Sequence, residues 1–249
     1  MSKILFLDLE LSPNEGYSWG QKWQTNIIKY TRESELLSIA WKWYGKKKLY
    51  GKARKNYMRG TDKALAVMLW EVMDKADVIV GHNMAKFDRR FANRYFALHG
   101  MPPPSPYQVI DTLKECRKHF NLPSYKLADI VVYFSLGKKM DTGGFDLWDV
   151  CMQSNIPALA KMLKYNKQDV FILEPLYKFI LPWITTHPSV NLMVGRPDSC
   201  PRCLSVSFKS MGIRTTKTQQ YKRYRCLDCK GCFTDNKAIN KKQKVNVAI

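Results

Sequence analysis

Two carboxylates stand two residues apart near the start of the chain, at the end of an apolar run. The segment from Lys3 reads Lys-Ile-Leu-Phe-Leu-Asp-Leu-Glu, which places the acids at Asp8 and Glu10. Side chains at positions i and i+2 of a strand share a face, so the two carboxylates point the same way. Because neighbouring anions repel, divalent cations are one means of holding them together. The stretch therefore predicts a buried strand that could bind metal, although Asp-x-Glu alone is common in proteins.

Two further acids occur downstream in settings that suit such a site. Asp88 ends the segment Asn-Met-Ala-Lys-Phe-Asp, which follows a short apolar strand and begins a predicted helix. Asp169 comes four residues after Tyr165, so these two side chains share one face of a late helix. The chain thus offers Asp-x-Glu, Asn-x-x-x-Phe-Asp and Tyr-x-x-x-Asp in that order, each on a different element.

This set of motifs resembles the DEDD superfamily of 3′-to-5′ exonucleases, in the subclass whose third motif contains Tyr. It is most similar to the proofreading domains of family B DNA polymerases and their stand-alone relatives. The resemblance covers residues 1–185 and includes Ser12-Pro13-Asn14 and Leu36 to Tyr44. It implies a ribonuclease H-like fold and phosphodiester hydrolysis assisted by two divalent cations, Mg²⁺ or Mn²⁺.

The resemblance also implies a role for each matching residue. Asp8 would contact both cations. Glu10 and Asp169 would serve the cation that carries the attacking water, and Asp88 would support the other one. Tyr165 would orient the water, because a phenol with a pKa of about 10 is a poor base at neutral pH. A catalytically inactive relative that keeps the fold is the alternative.

Several residues near these motifs are candidates for binding the substrate. Asn83 and Phe87 match the middle motif, and the resemblance implies that they support the edge of the site and pack near the terminal nucleotide. Lys138 and Lys139 lie in a loop rich in Gly and Lys that could reach phosphates, although lysines in loops are commonly just solvated.

The elements that must position these residues alternate along the chain. Strands are predicted at 3–10, 36–44, 46–51, 77–80 and 109–110, and helices at 61–76, 86–99, 111–119, 126–134 and 157–180. Residues 12–35 are predicted to form a loop, and Asp111 is predicted to cap the helix that follows it. This order predicts an α/β fold in which helices flank a mixed sheet.

Five of the seven cysteines fall between positions 200 and 232. Four of them form two Cys-x-x-Cys pairs separated by 22 residues, namely Cys200, Cys203, Cys226 and Cys229. This spacing predicts a small zinc ribbon around one structural Zn²⁺, which would create much of the local fold. A redox pair or unused thiols are the alternatives, and Cys232 could replace Cys229 as a ligand.

The charge of the chain favours a polyanionic partner, most simply nucleic acid. The net charge is +20, and residues 196–249 carry 13 Lys and Arg against 3 Asp and Glu. An anionic membrane is the competing interpretation, but no apolar run approaches the roughly 20 residues of a spanning helix. Tyr221, Arg223 and Tyr224 combine aromatic and cationic side chains in a manner typical of single-strand binding. A solvated face or a protein-docking surface is the alternative.

These features predict a nuclease domain over 1–185, a linker over 186–198, a zinc ribbon over 199–236 and a basic tail over 237–249. The cysteine pattern indicates the cytoplasm or another reduced compartment. The predicted activity is metal-dependent 3′-to-5′ hydrolysis of DNA, preferably single-stranded, which releases nucleoside 5′-monophosphates. An exoribonuclease and a non-catalytic zinc-ribbon binding or recruitment protein are the alternatives. Any proofreading role would need a separate polymerase, and no small organic cofactor is predicted.

Overall fold

The computed structural model describes residues 3–20, 26–58, 62–138 and 143–239. They form two compact units, one over Lys3–Leu176 and a second that begins at Tyr177. We call them the sheet unit and the cysteine-rich unit. The segment predicted as a linker contains a short helix in which Val190 and Asn191 are buried. The predicted domain limits at 185, 198 and 236 stay predictions.

The sheet unit is built on a five-stranded mixed sheet. The unit contains seven strands, of which β2 and β3 pair separately: β1 (Ile4–Leu11), β2 (Glu15–Tyr17), β3 (Lys29–Arg32), β4 (Leu36–Trp43), β5 (Leu49–Ala53), β6 (Val78–Gly81) and β7 (Gln108–Asp111). The five-stranded sheet has the order β5-β4-β1-β6-β7, so β1 lies at its centre. β1 pairs antiparallel with β4 and parallel with β6. The predicted mixed sheet is therefore confirmed.

Helices cover this sheet, as the sequence predicts. They are α1 (Lys63–Asp74), α2 (Asp88–Leu98), α3 (Thr112–His119), α4 (Leu127–Tyr133), α5 (Asp146–Met152) and α6 (Ile156–Ile180). α6 continues without a break past Tyr165 and Pro175. Among the described residues, no helix is both long enough and apolar enough to span a bilayer.

Two parts of the prediction are wrong at the level of elements. β2 and β3 pair as a small antiparallel hairpin within the segment predicted to be a loop. α5 is a helix that the sequence did not predict, since the segment after residue 146 carried no assignment. Both elements are short, so each gives only a weak periodic signal.

The alternation of side chains along β1 separates the core from the acids. Leu5, Leu7 and Leu9 are almost fully buried and belong to a cluster with the apolar faces of α1 and α2. Asp8 and Glu10 occupy the intervening positions, so they lie on the opposite face of the sheet. The helix α6 supplies contacts on that face, because Asn166 donates a hydrogen bond to Asp8.

The cysteine-rich unit contains α7 (Val190–Met193) and a three-stranded antiparallel sheet. Its strands are β8 (Phe208–Thr215), β9 (Gln220–Cys226) and β10 (Cys232–Thr234), in the order β10-β9-β8. Three aromatic rings, of Phe208, Tyr224 and Phe233, pack together with centroids 5.3–5.6 Å apart. β8 and β9 form most of the segment between the two cysteine pairs.

Candidate active site

Three of the four predicted acids converge on one point in the sheet unit. Asp8 and Glu10 come from β1 and Asp169 from α6. Each offers a carboxylate oxygen, and these oxygens all lie within 4.8 Å of one another. Carboxylate oxygens at this separation are the donor set that Mg²⁺ and Mn²⁺ prefer, so the residues present fit the predicted cations.

The fourth acid, Asp88, stands beside this group at the first residue of α2. It is only 3% exposed, and its Oδ1 accepts a hydrogen bond of 3.1 Å from the backbone N–H of Leu9. Leu9 lies between Asp8 and Glu10 on β1, so this bond fixes Asp88 against the strand that carries the other acids. Asp88 is also close enough to raise the pKa values of both neighbours.

The carboxylate of Asp8 is held by hydrogen bonds that run from β4 through α6 to β1. Asn166 of α6 donates from Nδ2 to Oδ2 of Asp8 at 2.6 Å, and its Oδ1 accepts from the Ser38 hydroxyl at 3.0 Å. Both Asn166 and Ser38 are completely buried. This amide therefore fixes one carboxylate oxygen of Asp8 and leaves the other available. The sequence motifs did not identify Asn166, although it directly follows Tyr165.

Two aromatic side chains border the acids. Trp148 of α5 donates a hydrogen bond to Glu10, and the Tyr165 hydroxyl donates one to Asp169. The two rings meet edge to face, with centroids 6.0 Å apart. The position of Tyr165 beside Asp169 follows the predicted i, i+4 spacing. Trp148 was missed, because it lies on the helix that the sequence did not predict.

Burial and mutual repulsion make the acids costly to ionise. Burial is the main cause, followed by neighbouring carboxylates, and together they raise the pKa of Glu10 to about 8. Burial likewise raises the pKa of Asp88 to about 7 and that of Asp169 to about 6. The pKa of Asp8 lies well above its ordinary value for the same reasons. A bound divalent cation would offset this cost, which supports a metal site.

A tight turn places Asp88, and Asp111 holds that turn. Asp111 caps α3 as predicted, accepting from the backbone N–H of Leu113. Its carboxylate also accepts from the N–H groups of Asn83 and Ala85, at 3.0 and 3.1 Å. Asn83 itself adopts a left-handed conformation with φ of 68°, which Asn tolerates better than most residues. Its predicted contact with substrate stays a prediction.

An apolar groove adjoins the acids. It is a cavity of about 550 Å³ lined chiefly by Leu11, Phe87, Phe91, Phe145 and Trp148. The Phe87 ring is 39% exposed and packs edge to face on Phe91, with centroids 4.7 Å apart. Exposed aromatic faces of this kind are suited to stacking on nucleic-acid bases.

The predicted basic loop is only partly described. Lys138 is exposed and follows α4. Lys139 lies outside the described residues. Contact of either lysine with phosphate stays a prediction.

The four predicted cysteines meet in the cysteine-rich unit. The Sγ atoms of Cys200 and Cys229 are 3.7 Å apart, and those of Cys203 and Cys226 are 3.6 Å apart. A tetrahedral Zn²⁺ with bonds of about 2.3 Å would separate its sulfur ligands by roughly 3.8 Å, so this set fits zinc. Cys232 is exposed and lies outside the four-cysteine group.

The remaining predicted contacts lie on β9. Arg223 is exposed, and its guanidinium donates from two nitrogens to the Met211 carbonyl, at 2.9 and 3.3 Å. The ring of Tyr224 packs within the aromatic cluster of Phe208 and Phe233, and its hydroxyl donates to Asp235. The hydroxyl of Tyr221 donates to the Gln219 side chain. Their contact with nucleic acid stays a prediction.

Comparison with known proteins agrees with this architecture. A family model described as the RNase_H superfamily matches residues 36–181. A structure of the family B DNA polymerase from the hyperthermophilic archaeon Pyrobaculum calidifontis is similar, with a TM-score of 0.53 and 16% identity. That similarity covers 73% of this chain and 25% of the polymerase chain, and it supports the fold alone. No curated protein sequence matches the chain.

The matched segment includes more than half of the 249 residues and contains β4 to β7, Asp88 and Asp169. The five-stranded mixed sheet and its flanking helices have the arrangement that this family requires. The acidic group beside that sheet supports a nuclease-type function. The chain belongs to the RNase_H superfamily.

Proposed function

We propose that this chain is a divalent-metal-dependent 3′-to-5′ exonuclease of the Tyr-containing DEDD subclass. The observation that carries the proposal is the meeting of Asp8, Glu10 and Asp169 within 4.8 Å. Asp88 stands beside them, fixed to β1 through Leu9. Structural acids are usually exposed or paired with cations, whereas Asp88 is buried and the other three acids are partly buried beside it, as expected of a metal site.

The acids and Tyr165 are proposed to have different roles in the reaction. Asp8 is proposed to serve both of two cations, and its interactions with Glu10, Asp169 and Asp88 support this role. Two such cations would stabilise the attacking and leaving oxygens of an in-line displacement at phosphorus. Tyr165 keeps its hydroxyl on Asp169 and holds a proton firmly, because burial and the nearby acids raise its pKa. It therefore orients water by hydrogen bonding rather than removing a proton.

The apolar groove beside the acids supports cleavage at the end of a nucleic-acid strand. Phe87 and Trp148 line the same cavity, and Trp148 contacts Glu10 directly. A terminal base stacked in this groove would bring its neighbouring phosphate towards the acids. Asn83, which follows β6, is proposed to support the terminal nucleotide.

DNA is the proposed substrate, preferably single-stranded, with RNA as the alternative because the same acids serve both. The cysteine-rich unit is proposed to hold one structural Zn²⁺ and to help bind nucleic acid through Tyr221, Arg223 and Tyr224. Lys138 and Lys139 are proposed to contact phosphates. The free thiols suit a reduced compartment. A polymerase acting as a separate partner would account for any proofreading role.

Labelled strands test the direction of cleavage. We expect the purified chain with Mg²⁺ to release a 3′-terminal label at once as a mononucleotide, while a 5′ label stays on progressively shorter strands. Internal cuts, or first loss of the 5′ label, would contradict the proposal. Matched DNA and RNA strands of one sequence identify the preferred sugar.

The variant Asp8→Asn tests the site itself. Losing a direct ligand should reduce the rate by at least about 100-fold, the upper range found when residues that merely orient ligands are changed. Asp149→Asn is the matched control, since this exposed acid of α5 bonds only Gln153 among the described residues. Equal activity in Asp8→Asn and the unchanged chain would favour the non-catalytic alternative.

A further inference from the structure

A second cavity lies entirely within the cysteine-rich unit. It has a volume of about 320 Å³, and its lining includes Arg202, Arg214 and Arg223 together with hydroxyls from Ser189 and Thr234. No Asp or Glu among the described residues lines it. We call it the arginine cavity. Three guanidinium groups without a carboxylate among them repel one another, so an anion would stabilise this arrangement.

Arg202, one of the lining residues, has a donor that no described residue satisfies. Its Nη1 is buried and has no hydrogen-bond partner among the described residues. The guanidinium packs so closely on Gly231 that a Cβ there would collide with it. A buried donor without an acceptor is costly and uncommon in folded proteins. The guanidinium of Arg202 therefore keeps hydrogen-bonding capacity that the described residues do not use.

The other two arginines present charge at the same cavity. Arg223 is anchored by two hydrogen bonds to the Met211 carbonyl, which fixes its guanidinium plane and leaves Nη1 out of that contact. Arg214 lies on β8, opposite Tyr221 of β9, and is exposed. A planar guanidinium matches the oxygens of phosphate better than an ammonium group does.

His187 forms part of the wall but contributes no charge. Its Nδ1 bonds the Pro188 carbonyl at 2.7 Å, so that nitrogen carries the hydrogen, and its Nε2 accepts from the Tyr177 hydroxyl at 2.8 Å. Both ring nitrogens are therefore used within the unit. Among the described lining residues, the arginines supply the positive charge of the cavity.

We infer that the arginine cavity binds a phosphodiester group of a nucleic-acid strand. This inference rests on the proposed function for its choice of nucleic acid over other phosphates. Arginine and hydroxyl donors converge on a space large enough for one phosphate and part of its sugar. The cavity would thus hold the strand by its backbone, without reading the base sequence.

Equilibrium binding of a strand tests the inference without cleavage. The full chain, loaded with zinc and kept free of Mg²⁺, is titrated against a fluorescein-labelled single-stranded DNA while fluorescence anisotropy is measured. We expect the double variant R202Q/R214Q to bind about tenfold more weakly than the control K209Q/K217Q, because charged hydrogen bonds are lost only in the former. Lys209 and Lys217 are exposed on the same unit and do not line the cavity.

Salt and phosphate dependence separate specific contacts from bulk charge. Each lost phosphate contact should lower the slope of log affinity against log salt by about one. Inorganic phosphate at constant ionic strength should weaken binding by the control variant and leave R202Q/R214Q unaffected. The single variant R214Q is measured as well, because Arg202 lies between two proposed zinc ligands and replacing it could release the metal. The zinc content of each variant shows whether the metal is retained.

The results that would reject the arginine cavity differ from those that would reject the exonuclease. If R214Q binds the strand as tightly as K217Q, or if the unchanged chain does not bind the strand, the arginine cavity is rejected. Cleavage of a 3′-labelled strand by the unchanged chain with Mg²⁺ would then still support the exonuclease. Weakened binding by R214Q in a chain that never cleaves would reject the exonuclease alone.

Discussion

Asn166 is the residue on which the orientation of Asp8 depends. It lies 158 positions along the chain from Asp8 and joins it to Ser38 through one buried amide. We predict that Asn166→Ala raises the Mg²⁺ concentration needed for half-maximal activity by about 10- to 100-fold, as loss of a ligand-orienting partner does elsewhere. The measurement is a Mg²⁺ titration of strand cleavage.

Ser38→Ala is the control for this variant. It removes only the outer bond of the chain and leaves the Asn166 amide on Asp8, so its shift in Mg²⁺ requirement should be several-fold smaller. Equal shifts in both variants would show that buried packing matters rather than orientation of the carboxylate. Urea unfolding of both proteins separates lost stability from lost metal affinity.

Tyr165 is placed to act through its hydroxyl. Tyr165→Phe keeps the ring against Trp148 and removes the hydrogen bond to Asp169. We predict a fall of about 10- to 100-fold in turnover with nearly unchanged stability, because a mispositioned water is costly to the rate. That hydrogen bond lowers the pKa of Asp169, so its loss should move the acidic limb of the pH–rate profile upward. A limb that stays in place would contradict this role.

The sequence could predict the acids but not the side chains that hold them. Asp8 and Glu10 follow from the period of a strand, and Tyr165 with Asp169 from the period of a helix, since both rules act over a few residues. The bond from Trp148 to Glu10 and the turn held by Asp111 join distant segments. Such contacts depend on how the elements pack, and no local periodicity in the sequence records them.

At the scale of elements, the missed helix α5 and the hairpin of β2 and β3 share a cause. α5 has seven residues, too few to be stable alone, so packing of Leu147 and Cys151 in an apolar cluster maintains it. β2 has three residues and β3 has four, and more than half of these residues are exposed. Longer elements such as α1 and α6 carry enough turns for their apolar period to be visible in the sequence.

The cysteine-rich unit should depend on bound metal for its stability. Its apolar core among the described residues is small, so much of its stability should come from the four-cysteine group. We predict that Co²⁺ in place of zinc gives the visible absorption of a tetrahedral tetrathiolate site, and that removing the metal melts β8 to β10. Absorption spectroscopy and amide hydrogen exchange provide the two readouts.

Two matched cysteine variants test which thiols take part. Cys229→Ser should change the cobalt spectrum and weaken metal binding, because its Sγ lies 3.7 Å from that of Cys200. Cys232→Ser should leave the spectrum unchanged, since this exposed thiol lies outside the group. The reverse result would assign Cys232 as the fourth ligand, which the sequence alone left open.

At the scale of the whole molecule, the acidic cluster links stability to pH. The pKa values of Glu10, Asp88 and Asp169 rise to about 8, 7 and 6 in the folded chain, against about 4 when unfolded. The folded chain therefore binds more protons than the unfolded chain between about pH 4 and 8, which lowers its stability as pH rises through that range. Divalent cations would bind the ionised form of the cluster, so their stabilising effect should grow over the same range.

We therefore predict that the sheet unit, without divalent cations, loses thermal stability as pH rises from about 5 to 8, and that Mg²⁺ restores it most strongly at pH 8. Tryptophan fluorescence follows this unit, because six of the seven tryptophans precede Tyr177. The variant Glu10→Gln removes the carboxyl group whose pKa rises to about 8 and nearly keeps its shape, so it should flatten the pH dependence near pH 8 and reduce the effect of Mg²⁺. The general charge of the chain, net +20, acts equally on both proteins and cancels in the comparison. Identical pH profiles with and without Glu10 would mean that the cluster does not control stability.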